Sequence, residues 1–189
     1  MLSVVIRCKN EARWIGRCLF ALAHQRRTEI EPVVVDNNST DGTREVAEQA
    51  GARIVPIGDD EFSFGRAINR GFEVARHENV AILSAHCLPV DELWADYLVA
   101  ALQAAPGIAG AYGRQEPLPD TSDFDKRDLW LTFRDQRLHQ TQDAFFHNAN
   151  WDALIDVLEP CRPAHGRVDP PITAGRHLME RFLSTQQGE

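Results

Sequence analysis

A carboxylate ends a run of three valines early in the chain and begins a polar turn. Val33–Val35 is a β-branched run typical of a central strand covered on both faces, and Asp36 follows it directly. Residues 37–40 are Asn, Asn, Ser and Thr, which favour turns and helix caps through hydrogen bonds to the backbone. Asp36 could therefore accept hydrogen bonds from a nucleobase edge or a ribose, or it could only cap the turn.

Three further apolar runs also end in polar or charged residues. Together the four ends supply Arg7, Asn10, Glu11, Asp36, Asn38, Ser84, His86, Arg114 and Gln115. In an open α/β sheet, ligands bind in the crevice outside the carboxyl ends of the strands. We therefore expect these side chains to lie around one ligand crevice.

The elements that would position these side chains alternate between strands and helices. The predicted strands are Leu2–Ile6, Glu31–Asp36, Arg53–Ile57, Val80–Leu83 and Ile108–Tyr112. Apolar stripes at helical spacing lie between them. Right-handed crossovers then predict a mostly parallel, doubly wound α/β sheet with helices on both faces.

The regular alternation ends after residue 112. Residues 113–142 are polar, with a few aromatic and aliphatic side chains among charges. Two further helices are predicted, near Trp151–Leu158 and near Thr173–Leu183, from apolar residues at helical spacing.

Composition limits the class of protein. The chain has 189 residues, 43% of them hydrophobic, which suits one domain with a real core. A net charge of -8 argues against a nucleic-acid partner, because such binding needs a basic face. The four cysteines show neither metal spacing nor a disulfide framework. With no signal peptide or membrane-spanning run, the prediction is a cytoplasmic protein, free to associate peripherally with the inner face of a membrane.

Five blocks of sequence resemble the glycosyltransferases of family 2, particularly the bacterial rhamnosyltransferase-like members. The blocks are Ser3–Glu11, Val35–Thr43, Gly65–Gly71, Tyr112–Pro117 and Phe145–Asn150. The resemblance implies a single GT-A domain over residues 1–189, with a nucleotide-sugar-binding half at 1–112 and a divergent or truncated acceptor-side half at 113–189. It also implies inverting transfer of a hexose from a nucleotide-diphosphate sugar to a saccharide or lipid-linked acceptor, as in bacterial polysaccharide biosynthesis.

The resemblance also implies roles for individual residues. Asp36 would hold the nucleobase, and the same nucleoside pocket would be lined by Arg7, Asn10, Glu11 and Asn38. Arg66 and Asn69 would approach the ribose and diphosphate, where a guanidinium suits phosphate. The acceptor side would include Gln115, His147, Asn148 and Asn150.

The sequence departs from the family where the family usually carries an acidic pair that holds Mg²⁺ or Mn²⁺. The corresponding residues here are Ser84-Ala85-His86. Imidazole suits Mn²⁺ better than Mg²⁺, which prefers oxygen ligands. His86 could be a lone metal ligand, an imidazolium that donates to the diphosphate, or a structural histidine.

A second departure concerns the general base. The family's carboxylate would fall within Ile172–Leu178, where Gly175 and Arg176 stand instead. A guanidinium cannot accept the proton, and the nearest alternatives are His177 and Glu180. The second hypothesis is therefore a catalytically impaired nucleotide-sugar-binding module. A different α/β nucleotide-binding protein is disfavoured, because the sequence has no glycine-rich phosphate loop.

Overall fold

The computed structural model of the chain describes residues 1–105, 108, 110–119, 121–132 and 154–157. Its elements are β1 Leu2–Cys8, α1 Ala12–Ala23, β2 Ile30–Asp36, α2 Thr43–Gln49, β3 Arg53–Pro56, α3 Phe64–Val74, β4 Asn79–Ser84, α4 Trp94–Leu102, β5 Gly110–Tyr112, α5 Asp123–Thr132 and β6 Leu154–Val157. Within these residues no helix combines the length and the apolar character needed to span a bilayer.

The strands form one sheet in the order β3-β2-β1-β4-β6-β5. β1 pairs in parallel with β2 on one side and β4 on the other, and β2 pairs in parallel with β3. β6 is antiparallel to both β4 and β5. The predicted mostly parallel α/β sheet is therefore confirmed.

Alternating side chains of the central strands fill a core on each face of the sheet. Leu2, Val4 and Ile6 of β1 pack in a cluster with the inner faces of α1 and α4. Val5 belongs to a second cluster, with Ala67 of α3. Successive residues of a strand point to opposite faces, so the unbroken apolar run in β1 follows from burial on both sides.

Gly71 sets the close approach of α3 to the sheet. A Cβ atom at this position would lie 2.2 Å from Cγ1 of Val5 and 3.2 Å from Cγ2 of Val35. Such distances are shorter than a normal contact, so only glycine fits without a shift of the helix or the strands. The amino end of α3 consequently lies low over the carboxyl ends of β1 and β2.

The predicted helix near Trp151–Leu158 is wrong over residues 154–157, which form β6. Hydrogen-bond partners on both sides, in β4 and β5, favour a strand there. Periodicity alone cannot distinguish a short buried strand from a helical turn. The predicted helix near Thr173–Leu183 lies outside the described residues.

The sequence analysis also missed α5, inside the polar region after residue 112. The Ser122 hydroxyl accepts a hydrogen bond from the backbone N–H of Asp125 (3.2 Å) and donates to its carboxylate (2.7 Å). A serine followed three residues later by an acidic residue is a helix-start signal. That signal was available in the sequence.

Candidate functional site

The carboxyl ends of β2, β1 and β4 lie side by side at one edge of the sheet. Cys8 is in register with Asp36, and Arg7 is in register with both Val35 and Ser84. The loops that follow these three strands therefore open at a shared mouth. The structure thus brings together the predicted site residues of the first, second and fourth strands.

Hydrogen bonds lock the loop after β1 to the loop after β2. The N–H of Asn10 donates to Ser39 Oγ (2.9 Å), and the N–H of Thr40 donates to Asn10 Oδ1 (2.9 Å). Asn10 and Asn38 both adopt left-handed backbone conformations, with φ of 56° and 50°. Asparagine tolerates this region better than most residues, which explains its use in both loops. We call these paired loops, residues 9–11 and 37–42, the loop clasp.

The loop clasp also caps α1. Its N-cap residue, Glu11, makes no capping hydrogen bond with its own side chain. Instead the N–H of Glu11 donates to Thr43 Oγ1 (2.7 Å), and the N–H of Ala12 donates to Asp41 Oδ2 (3.0 Å). The first amides of α1 are therefore satisfied by residues that follow a different strand.

Asp36 is 5% exposed and belongs to the same network. Its Oδ1 accepts a hydrogen bond from the Cys8 thiol (3.7 Å), and its Oδ2 accepts one from the N–H of Ser39 (3.3 Å). Burial, and then the Asp36 charge, raise the pKa of Cys8, so its thiol remains protonated as the donor. The capping role considered for Asp36 is thus present, while a carboxylate has further lone pairs to offer a ligand.

His86 lies between groups from two strand ends. Its Nδ1 is 3.3 Å from Glu11 Oε1, and its Nε2 is 3.3 Å from Ser84 Oγ. The His86 side chain is 57% exposed, so it is open to a ligand at the mouth. Glu11 can stabilise an imidazolium or join His86 in holding a cation. Within the part of the chain that the structure describes, no group of three or more metal-ligating side chains occurs.

The cationic candidates lie on the α3 side of the sheet. The Arg7 guanidinium is 4.4 Å from the ring centroid of Phe64, at the start of α3. Burial lowers the pKa of Arg7, but a guanidinium keeps its charge at neutral pH. The backbone N–H of Arg66 is capped by Ser63 Oγ (3.2 Å), while its guanidinium donates to the carbonyl of Glu61 (3.3 Å). Asn69 is on the same helix, about one turn further on.

Asn37 is a buried member of the mouth that sequence reasoning did not assign. Its N–H donates to the carbonyl of Cys8 (3.0 Å). Its side-chain amide is oriented to donate to Asp59 Oδ1 (2.9 Å) and to the carbonyl of Ile57 (3.2 Å). Asp59 also pairs with Lys9, so Asn37 ties the loop after β3 to the loop clasp. Nothing in its sequence position distinguished it from Asn38.

The remaining candidates divide into one that is described and several that are not. Gln115 lies beyond β5 and is buried. His147, Asn148 and Asn150 lie outside the described residues, as do His177, Glu180 and the whole segment where a general base was sought.

Comparison with known families gives a match over most of the chain. A sequence model of the family described as "Glycosyl transferase family 2" matches residues 3–156. An uncharacterized glycosyltransferase of Nostoc sp. is 38% identical over 49% of this chain and 29% of its own length. Glycosyltransferase AglE of Haloferax volcanii is 35% identical over 47% of this chain and 31% of its own length.

A third relative aligns with nearly the whole chain. The putative glycosyltransferase EpsH of Bacillus subtilis is 27% identical over 97% of this chain, which corresponds to 54% of EpsH. The chain therefore spans about half, or less, of the length of the curated relatives it matches.

Solved structures identify the fold as GT-A, as expected. The mannosyltransferase PcManGT from Pyrobaculum calidifontis, in complex with GDP-Man and Mn²⁺, superposes with a TM-score of 0.62 and 21% identity, over 83% of this chain and 44% of that one. Glucosyl-3-phosphoglycerate synthase from Mycobacterium tuberculosis, in complex with UDP, gives a TM-score of 0.52 and 21% identity, over 62% and 45%. Identities this low establish the fold and not the ligand.

The capping of α1 by Thr43 predicts a measurable stability cost. Thr43 is fully buried, so Thr43→Val keeps the side-chain shape and leaves the N–H of Glu11 without its acceptor. We expect the free energy of unfolding to fall by about 1–3 kcal/mol in urea denaturation. The matched control is Thr40→Val, at an exposed position, with an expected change within about 0.5 kcal/mol. Equal stability of the two variants would contradict the capping role.

Proposed function

The chain belongs to glycosyl transferase family 2, and from that premise we propose that it transfers a hexose from a nucleotide-diphosphate sugar to a saccharide or lipid-linked acceptor with inversion. The observation that carries this proposal is the shared mouth at the carboxyl ends of β2, β1 and β4, with Asp36, Glu11 and His86 around it. The location agrees with the ligand crevice of open α/β sheets.

The nucleoside lies against the loop clasp. Asp36 accepts hydrogen bonds from the base, which its fixed position in the turn favours because the carboxylate is already oriented by Cys8 and Ser39. Arg7, Asn10, Glu11 and Asn38 complete this pocket. The left-handed backbone at Asn10 and Asn38 holds both loops in the open form that leaves room for a ligand.

The diphosphate lies toward α3 and β4. Arg66 and Asn69 approach it from the first turns of α3, and His86 approaches it from the end of β4. A protein with a net charge of -8 needs such local donors for two phosphates. The Arg66 side chain contacts only a neutral carbonyl among the bonds described for it, so its charge is available to a phosphate.

A divalent cation, Mn²⁺ rather than Mg²⁺, fits the donors present. His86 and Glu11 offer one imidazole nitrogen and one carboxylate oxygen 3.3 Å apart, a set that suits an ion completed by substrate phosphates and water. When bound, the cation would neutralise charge that develops on the leaving diphosphate. Without a cation, the imidazolium paired with Glu11 can donate to the same oxygens.

The acceptor enters from the β5 side, where Gln115 lies, with His147, Asn148 and Asn150 as its proposed further contacts. Transfer breaks the bond between the anomeric carbon and the diphosphate oxygen, while the acceptor hydroxyl forms the new bond and gives up its proton to a base. We place this reaction in the cytoplasm, at the inner face of the membrane when the acceptor is lipid-linked.

Asp36→Asn tests the nucleoside assignment. The amide keeps one acceptor oxygen but loses the charge, so we expect affinity for the preferred donor among UDP, GDP and dTDP sugars to fall about 10-fold to 100-fold. Calorimetric titration measures this, with Asp123→Asn, a fully exposed site, as the control that keeps wild-type affinity. Unchanged affinity in a folded Asp36→Asn variant would refute the assignment.

Transfer and donor-hydrolysis assays on the same donor separate the two functional hypotheses. Product formation with a saccharide or lipid-linked acceptor supports the transferase. Donor binding without hydrolysis or transfer, across an acceptor panel, supports the binding module that lacks a base. Absence of donor binding would exclude both.

His86→Ala tests the cation assignment. We expect Mn²⁺ to add to the thermal stabilisation that the donor gives the wild-type protein, because ligand binding raises apparent stability by mass action. His86→Ala should lose that increment and keep the stabilisation by the donor alone. Loss of donor binding regardless of Mn²⁺ would instead assign His86 as a direct diphosphate donor. No change at all would make it a structural histidine.

A further inference from the structure

A cavity of about 340 Å³ lies between α5 and the segment that follows β5. Its lining is Arg114, Gln115, Pro117, Lys126, Arg127 and Trp130. Small-molecule sites are usually about 300–1,000 Å³. This volume therefore suits a ligand of monosaccharide size.

The cavity opens near the same edge of the sheet as the donor mouth. β4 and β5 are both antiparallel to β6, so they run in the same direction and end at the same edge. Tyr112 and Ile82 are each in register with Leu154, which places the two strand ends level. With about 4.8 Å between neighbouring strands, β4 and β5 are separated by about 10 Å. A sugar in the cavity would thus lie within reach of a donor at the mouth.

The charged side chains that line the cavity are all cations. Lys126 and Arg127 project from α5, and Arg114 follows β5. Two of them have acidic neighbours: Lys126 is 3.6 Å from Asp123 and Arg114 is 3.8 Å from Glu116. Both pairs are solvent-exposed, and such pairs contribute little. An anion in the cavity can therefore compete for these cations.

Trp130 and Gln115 give the cavity the other features of a sugar site. The Trp130 side chain is 68% exposed although it borders the cavity, so its ring can stack on the apolar face of a pyranose. Gln115 is buried and carries amide groups that can hydrogen-bond to hydroxyls. An aromatic face and cations in one cavity suit a sugar that carries a negative charge.

We propose that this cavity binds the acceptor as a phosphate-bearing saccharide, with the phosphate held by Lys126 and Arg127 and the sugar ring stacked on Trp130. The proposal rests on the proposed function, because it names the class of acceptor for that transfer. The phosphate can belong to a soluble sugar phosphate or to the diphosphate of a lipid-linked sugar.

Calorimetric titrations of the full chain test this with glucose 1-phosphate, glucose and inorganic phosphate. We expect glucose 1-phosphate to bind at least 10-fold more tightly than glucose. The double variant Lys126→Gln/Arg127→Gln should lower that affinity about 10-fold or more. Trp130→Ala should weaken glucose 1-phosphate and leave inorganic phosphate unchanged.

The matched control is Arg26→Gln/Arg44→Gln, which removes the same charge from two exposed arginines elsewhere and should bind glucose 1-phosphate as the wild type does. Equal weakening in both double variants would show a nonspecific charge effect and overturn the proposal. Equal binding of glucose and glucose 1-phosphate, or binding of neither, would also overturn it.

Two further arms separate the sources of phosphate and the two proposals. A glucosyl diphosphate on a short polyprenyl chain, in detergent micelles, should bind more tightly than glucose 1-phosphate if the acceptor is lipid-linked, and no more tightly if it is soluble; both results depend on Lys126 and Arg127. Donor titration with the Lys126→Gln/Arg127→Gln variant should match the wild type. Failure of donor binding in the wild type defeats the proposed function, whereas loss of sugar-phosphate selectivity with intact donor binding defeats only this inference.

Discussion

The site depends on the hydrogen bonds that join the loop after β1 to the loop after β2. α1 begins without a cap of its own, and Thr43 and Asp41 satisfy its first amides from the neighbouring loop. Buried amides without acceptors are costly, so the two loops must adopt these conformations together if α1 is to start at Ala12. The same hydrogen bonds hold Asn10 and Asp36 at one edge of the sheet. The interactions that let the helix form thus also shape the mouth.

The strands that position the site were predictable because their signal is local. The valine run before Asp36 and the apolar run in β1 are buried on both faces, and continuous β-branched sequence reports such burial directly. β6 was not predictable in this way, since its strand conformation comes from pairing with β4 and β5 and its short apolar run also fits a helical turn. α5 is a different case, because Ser122 and Asp125 carried a start signal that the surrounding charges obscured.

The candidate site divides along the same line. Asp36, Glu11, Ser84 and His86 were predicted as neighbours because parallel strands end at a common edge. Their contacts were not predictable: the Cys8 thiol as donor to Asp36, and the approach of His86 to Glu11, depend on loop conformations with no sequence period. The replacement of an acidic pair by Ser84 and His86 lowers the negative charge at the end of β4. Glu11, from another loop, supplies a carboxylate there.

Hydrogen exchange with and without a saturating nucleotide-diphosphate sugar tests the central claim most directly, because it reports where the ligand lies without requiring turnover. Binding at the shared mouth predicts slower exchange in peptides that cover residues 7–12, 36–43 and 84–88, with no change in residues 24–30 at the opposite edge of the sheet. Slowed exchange confined to residues away from the ends of β1, β2 and β4 would contradict the account.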